Sequence, residues 1–177
     1  MVILGVDPGL SATGYGAIEA DGRGLRLVAA GDIRPSRTRP LADRLDHIHR
    51  ALSEQVARWH PRTLVIEKLY THYEHVTTAA MMGHARGVAC LVARQHDVEC
   101  VEYSPNRVKK AVTGHGTASK EQVARMVQQW LGGGEPSWSF DATDALALAI
   151  AHAQMQAQHQ RGEVFRMVGR RPTGMRT

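Results

Sequence analysis

Apolar residues fall in short runs whose period changes along the chain. VILGV at 2–6 is cut off by Asp7-Pro8-Gly9, which predicts a strand ending in a turn. Thr13 to Glu19 and Leu25 to Arg34 predict two more strands across a turn at Asp21-Gly22-Arg23-Gly24, and three strands with short links predict an antiparallel meander. Leu41, Leu45, Ile48, Leu52 and Val56 recur at helical spacing, so 41–59 is expected to be an amphipathic helix. LVIE at 64–67 predicts a buried strand, 77–95 a helix rich in small residues, and Val98 to Tyr103 a fifth strand. Ser104-Pro105 has the N-cap and first-turn residues of a helix start. Ser119 and Gln122 form a capping-box pattern ahead of a core stripe of Val123, Met126, Val127, Trp130 and Leu131, which Gly132-Gly133-Gly134 ends. A last helix is expected from about Ser139 to Gln158. The order predicts an α/β fold, a mixed five-stranded sheet flanked by helices, in one domain over 1–158. Residues 159–177 read as a basic, disordered tail, in which Arg161, Arg166, Arg170, Arg171 and Arg176 face one acid, Glu163.

At 177 residues the chain suits one compact domain with a single core. No apolar run approaches the roughly 20 residues of a membrane helix. MVILGVDPG lacks the basic start of a signal peptide, so a cytoplasmic protein without membrane partners is expected. Cys90 and Cys100 sit in unrelated sequence contexts, each apolar, and both are expected to be buried thiols without a disulfide. A net charge of +5 favours an anionic partner but selects none by itself.

The chemistry lies in four acids. Asp7 closes the first strand and Glu67 the strand after the first helix, and those strands can be parallel neighbours. Their carboxyl ends would then share one rim of the sheet, where α/β ligand sites form. Taken singly, Asp7 also reads as a turn residue and Glu67 as a surface acid. Asp141 and Asp144 share a helix face that continues through Ala145, Leu148 and Ala149, so they sit on an inward-facing first turn. Acids at a helix start complement its dipole, which accounts for their helical position but not for their facing the core. Converging carboxylates about 5 Å apart cost roughly 3 kcal/mol per pair at an effective dielectric near 20. Cations would relieve this, and hard oxygen ligands suit Mg²⁺ or Mn²⁺. Two such ions can assist phosphodiester hydrolysis.

At these residues the sequence resembles the RuvC family of bacterial Holliday junction resolvases. GVDPG with TGYG (5–16), VIEKLY (65–70), ARGVA (85–89), RVKKAVTG (107–114), SKEQV (119–123) and DATDALALAIAH (141–152) match the family pattern in order and spacing over about 1–157. The resemblance implies an RNase H-like fold, a homodimer, and paired nicks in opposing strands of a four-way DNA junction during recombination and repair. It also implies Mg²⁺ or Mn²⁺, two ions per site, at Asp7, Glu67, Asp141 and Asp144, and the RuvA–RuvB branch-migration complex as a partner. Some members carry His at the position of Asp141. The tail lies outside the match.

Lys109 and Lys120 match family positions implicated in DNA binding or catalysis. Independently, Lys120 stands at a helix start, where a cation opposes the dipole, and three residues before Val123, on the inward side. Lys109 shares a basic helix face with Arg107 and Lys110, which also reads as a solvated face. His115, between two glycines, either contacts DNA or tips a loop. Tyr70 matches a family aromatic that stacks on an unpaired base; otherwise it is a rim tyrosine. His72, Glu74 and His75 lack helical phase and a third partner, so loop or DNA-contact roles outrank a metal role. The helix at 77–95 is apolar nearly all round, which predicts burial on two sides, against the sheet and, by resemblance, against a partner subunit.

Three rivals remain in view. An actin-like ATPase or sugar kinase would need a second glycine-rich phosphate loop and about twice the length. A non-catalytic junction-binding module would lose an acid. An RNase H-like nuclease acting on other branched DNA or on RNA–DNA hybrid keeps every feature read from the residues.

Overall fold

The computed structural model describes residues 1–21, 23–69, 76–133 and 138–168, with backbone only at 76–78 and 160–168. Strands β1 (Val2–Asp7), β2 (Thr13–Asp21), β3 (Gly24–Ile33), β4 (Thr63–Glu67) and β5 (Glu99–Tyr103) form one sheet in the order β3-β2-β1-β4-β5. β1, β2 and β3 pair antiparallel as the predicted meander, and β4 and β5 add in parallel on the other side of β1. Residues alternate between the two faces of each strand. Leu4, Val6, Leu64 and Ile66 therefore meet helices α1 (Leu41–Trp59) and α2 (Val76–Gln95) through Ile48, Leu52, Val56, Ala85 and Ala89. On the other face Ile3, Ile18 and Val65 meet α3 (Pro105–Thr113), α4 (Lys120–Trp130) and α5 (Phe140–Val168).

Local chemistry sets the helix starts. Ser104 accepts from the Arg107 N–H, with Pro105 in the first turn of α3. Ser119 and Gln122 close the expected capping box on α4. α1 begins after Pro40 without any side-chain cap. α5 continues ten residues past its expected end at Gln158, so helical backbone takes in the start of the segment read as a disordered tail; residues 169–177 lie outside the described residues.

α5 is the keystone of the second layer. Leu146, Leu148 and Ile150 on it are 2% exposed or less, worth about 1.5–3 kcal/mol each in apolar burial. It lies unusually close to the sheet because two facing strand positions have no side chain. A Cβ on Gly5 would fall 1.9 Å from the Ala145 carbonyl oxygen, and one on Gly14 would fall 2.0 Å from that of Asp141. On the far side of this layer, buried His152 bonds the Tyr103 hydroxyl at 2.9 Å and Gln156 at 2.9 Å, which ties α5 to β5; burial holds its pKa below 6.5.

One expectation changes here. Cys100 is exposed on the edge strand and Cys90 is half-buried, instead of both being buried, and both are free. Nor are they unrelated in space. Arg86 on α2 pairs with Glu102 on β5, and one helical turn on, Cys90 faces Cys100, two residues back along the strand. Burial of the thiol, then the neighbouring Cys90, pushes Cys100 up to about 12. The α2 helix is buried through Ala85, Ala89, Val92 and Ala93 only on its inner side; Met81, Met82 and Leu91 are exposed.

Candidate active site

Sheet register carries the first two acids to one place. Val6 pairs with Ile66 across the parallel β1–β4 ladder, so Asp7 and Glu67 leave their strands side by side at the carboxyl rim. Both line one small cavity of about 30 Å³ with Pro8, Met82 and Arg86. Asp7 also pairs with Gly14, the residue against which the backbone of Asp141 rests. The close approach of α5 therefore brings its first turn, with Asp141 and Asp144, down onto the same rim.

Electrostatics report the convergence. Asp7 rises from an ordinary 3.8 to about 7, first through burial and then through the charges of Asp144, Glu67 and Asp141. Burial, followed by Asp144, raises Glu67. Asp144 is also raised, chiefly by burial, with Lys120 opposing and Asp141 adding to the rise. These are oxygen donors held together against their own repulsion, which is the donor set of a hard divalent cation. As the side chains stand, no three His, Cys, Asp or Glu among the described residues converge tightly enough to enclose an ion. The geometry is that of carboxylates at one rim, still apart.

Two predicted lysines enter this field. The Lys120 ammonium lies 3.5 Å from an Asp144 carboxylate oxygen while remaining 74% exposed, so it reaches the site from the solvent side and not from the core. Lys109 is half-buried, and its charge is felt by Glu67 and Asp144. The other predicted contacts are elsewhere. Arg107 lies over the Tyr103 ring at 5.2 Å, and Lys110 is exposed on α3. His115 lines a separate cavity of about 460 Å³ with Thr113, Gln122 and Arg125. Tyr70, His72, Glu74 and His75 lie outside the described residues.

Sequence reasoning missed the supports of Asp141. Ser139 caps α5 through the Ala142 N–H at 3.0 Å, and its hydroxyl donates to Asp32 at 2.5 Å. Asp32 accepts from Arg34 at 3.0 Å, and Arg34 lies 3.8 Å from Asp141. Arg86 was missed too: it donates to the Glu67 carbonyl at 2.6 Å and fixes the end of β4. Of these, only Ser139 had a local signal, as a cap residue two positions before Asp141.

The family model described as crossover junction endodeoxyribonuclease RuvC matches residues 3–152. A curated protein of that name from Bradyrhizobium sp. (strain ORS 278) is 41% identical over 165 residues, which is 93% of this chain and 91% of that one. The Thermus thermophilus RuvC structure superposes with a TM-score of 0.83 at 32% identity, covering 90% of this chain and 97% of that one. The structure titled T. thermophilus RuvC in complex with Holliday junction substrate superposes with a TM-score of 0.82 at the same 32% identity, over 90% and 96% of the two chains.

Proposed function

Because the chain belongs to the RuvC family of crossover junction endodeoxyribonucleases, we propose that it resolves four-way DNA junctions by paired nicks, with Asp7, Glu67, Asp141 and Asp144 as its metal-binding carboxylates. The observation that carries this reading is geometric: the β1–β4 register and the close seating of α5 bring Asp7, Glu67, Asp141 and Asp144 to one rim, with Lys120 3.5 Å from Asp144. Mg²⁺ or Mn²⁺, two ions per site, is the fitting cofactor, and it supplies Lewis-acid assistance to phosphodiester hydrolysis.

The protein's own residues do the rest. Asp7 and Glu67 sit on strand ends and Asp141 and Asp144 on a buried helix, so the oxygen donors are fixed before substrate arrives. Arg34 and Ser139 orient the turn that carries Asp141. Lys120 and Lys109 put positive charge where a scissile phosphate must approach four acids, so they offset repulsion that would otherwise exclude DNA. Tyr70 is proposed, on resemblance, to stack on an unpaired base, and Arg107, Lys110 and His115 to contact the DNA further out.

A homodimer through α2 is part of the proposal, supported by the exposed Met81 and Leu91 on that helix. The RuvA–RuvB complex as a partner rests on resemblance, and a cytoplasmic location is proposed beside it; among the described residues no helix is long and apolar enough to cross a membrane. The 1–158 nuclease unit with a separate basic tail likewise stands as a proposal.

The test is to offer a four-way junction, a nicked flap and an RNA–DNA hybrid side by side, with Mg²⁺, with Mn²⁺ and with chelator. Symmetric nicks in the junction alone, lost in chelator, are expected. Preferential cutting of the hybrid or flap would replace the substrate assignment, and binding without cutting in either metal would make the protein a junction-binding module. Light scattering checks the dimer: Leu91→Glu should yield a monomer, and an unchanged mass would move the interface off α2.

A further inference from the structure

β3 ends at the same rim as the carboxylates. Asp7 pairs with Gly14, Gly14 with Asp32, and Thr13 with Ile33, so the loop leaving β3 starts beside the acids and leads into α1. Along that loop and the first turns of α1 runs a groove of about 450 Å³, separate from the carboxylate site. Arg34, Arg39, Arg44 and Arg50 line it, against Asp43 and Asp46.

The arginines are only partly neutralised, and Arg34 is paired with Asp32 at 3.0 Å. Arg50 pairs with Asp46 at 2.8 Å, but among the described residues Arg39 and Arg44 have no ion pair, although both aspartates line the same groove. Arg44 is anchored by donating to the Leu10 carbonyl at 2.9 Å, in the turn that follows Asp7, while its Nε is buried without an acceptor. The uncapped N-terminus of α1 adds its own orphan N–H groups to this region. Two arginines without an ion pair, Arg39 and Arg44, and a positive helix end beside the paired Arg34 and Arg50 suit an anion with repeated charges.

Arg34 connects this groove to the site, since it lines the one and lies 3.8 Å from Asp141 in the other. A polyanion with one charge at the carboxylates would therefore carry its next charges along α1. We propose that this groove binds the phosphodiester backbone of one junction arm, close to the strand being cut. The proposal rests on the nuclease reading above and adds a DNA contact surface to it. The planar guanidinium fork suits a phosphate.

The experiment measures junction affinity in chelator, so that no cutting occurs, across a range of salt. The double variant Arg39→Ala/Arg50→Ala is compared with Arg58→Ala/Arg94→Ala, which removes equal charge elsewhere: Arg58 lies over Trp59 at 4.7 Å and Arg94 pairs with Asp97 at 2.6 Å. Loss of two phosphate contacts should reduce the log–log salt slope by about 1.8, at about 0.9 per contact, and the control pair should keep the wild-type slope. Arg39→Lys/Arg50→Lys should recover most of the slope, which separates lost charge from lost folding. A groove variant with the wild-type slope overturns the proposal, as does a control that loses as much. If the wild type cuts junctions while the groove slope is unchanged, the groove alone fails; if the wild type neither binds nor cuts them, the nuclease reading fails with it.

Discussion

Replacing Asp7 by Asn should stabilise the metal-free protein at alkaline pH. The folded protein raises this carboxyl from 3.8 to about 7, so between those pH values it holds a proton that the unfolded chain has released. Stability must therefore fall as pH rises through that window and level off above about 7. At about 1.36 kcal/mol per pH unit, the full loss by pH 8 is about 4 kcal/mol, of which roughly a third is already gone at pH 5. Asn has the same shape and no charge, so Asp7→Asn escapes the loss. Its melting temperature, followed by circular dichroism in chelator, should pull ahead of wild type by roughly 5–10 °C more at pH 8 than at pH 5, at about 2–4 °C per kcal/mol for a chain of this size. Adding Mg²⁺ or Mn²⁺ should raise the wild type by about 2.7 kcal/mol at 100 times its dissociation constant, and Asp7→Asn by much less. A variant that tracks wild type at both pH values, or melts below it at pH 8, would refute the claim that burial and the neighbouring acids disfavour the charged form of Asp7. The same variant should bind a junction and leave it uncut.

Three further outcomes are expected. Lys120→Ala should slow cutting and reduce the salt slope of junction binding by about 0.9, and an unchanged rate and slope would make it a surface residue only. Gly14→Ala would place a Cβ 2.0 Å from the Asp141 carbonyl oxygen, so it should lower the melting temperature by several degrees and cut more slowly; wild-type melting and cutting would mean that α5 does not rest on this strand. Tyr70→Ala should slow single-turnover cutting about 100-fold with little loss of binding, while Tyr70→Phe stays near wild type; equal damage from both would rule out stacking.

The readable features are those whose cause is local. Asp7 and Glu67 were legible because a strand end is marked by its own turn residues, and parallel neighbours put their ends together. The Ser104 and Ser119 caps were legible because a cap and its target lie three residues apart. Contacts between distant segments left no such mark. Ser139 meets Asp32 across 107 positions, and nothing near either residue specifies the other. Cys90 and Cys100 looked unrelated because helix and strand periods had to be set against each other before they faced. The arginine groove had a partial signal in Arg34-Pro-Ser-Arg-Thr-Arg-Pro, but a basic loop between a strand and a helix reads equally as a solvated link. Only the fold shows that it starts at the carboxylate rim. The end of α5 was not legible at Gln158, because no Gly or Pro stands there to mark a stop.

The seating of α5 on the glycines of β1 and β2 has a consequence in time. Asp7 and Glu67 emerge early in synthesis, while Asp141 and Asp144 belong to the last helix of the described chain. One face of the sheet is covered by α5, so the domain folds as a unit only once that helix is available. The proposed set of four acids needs the final helix, so a polypeptide truncated before residue 140 carries half of that set and is expected to leave DNA uncut.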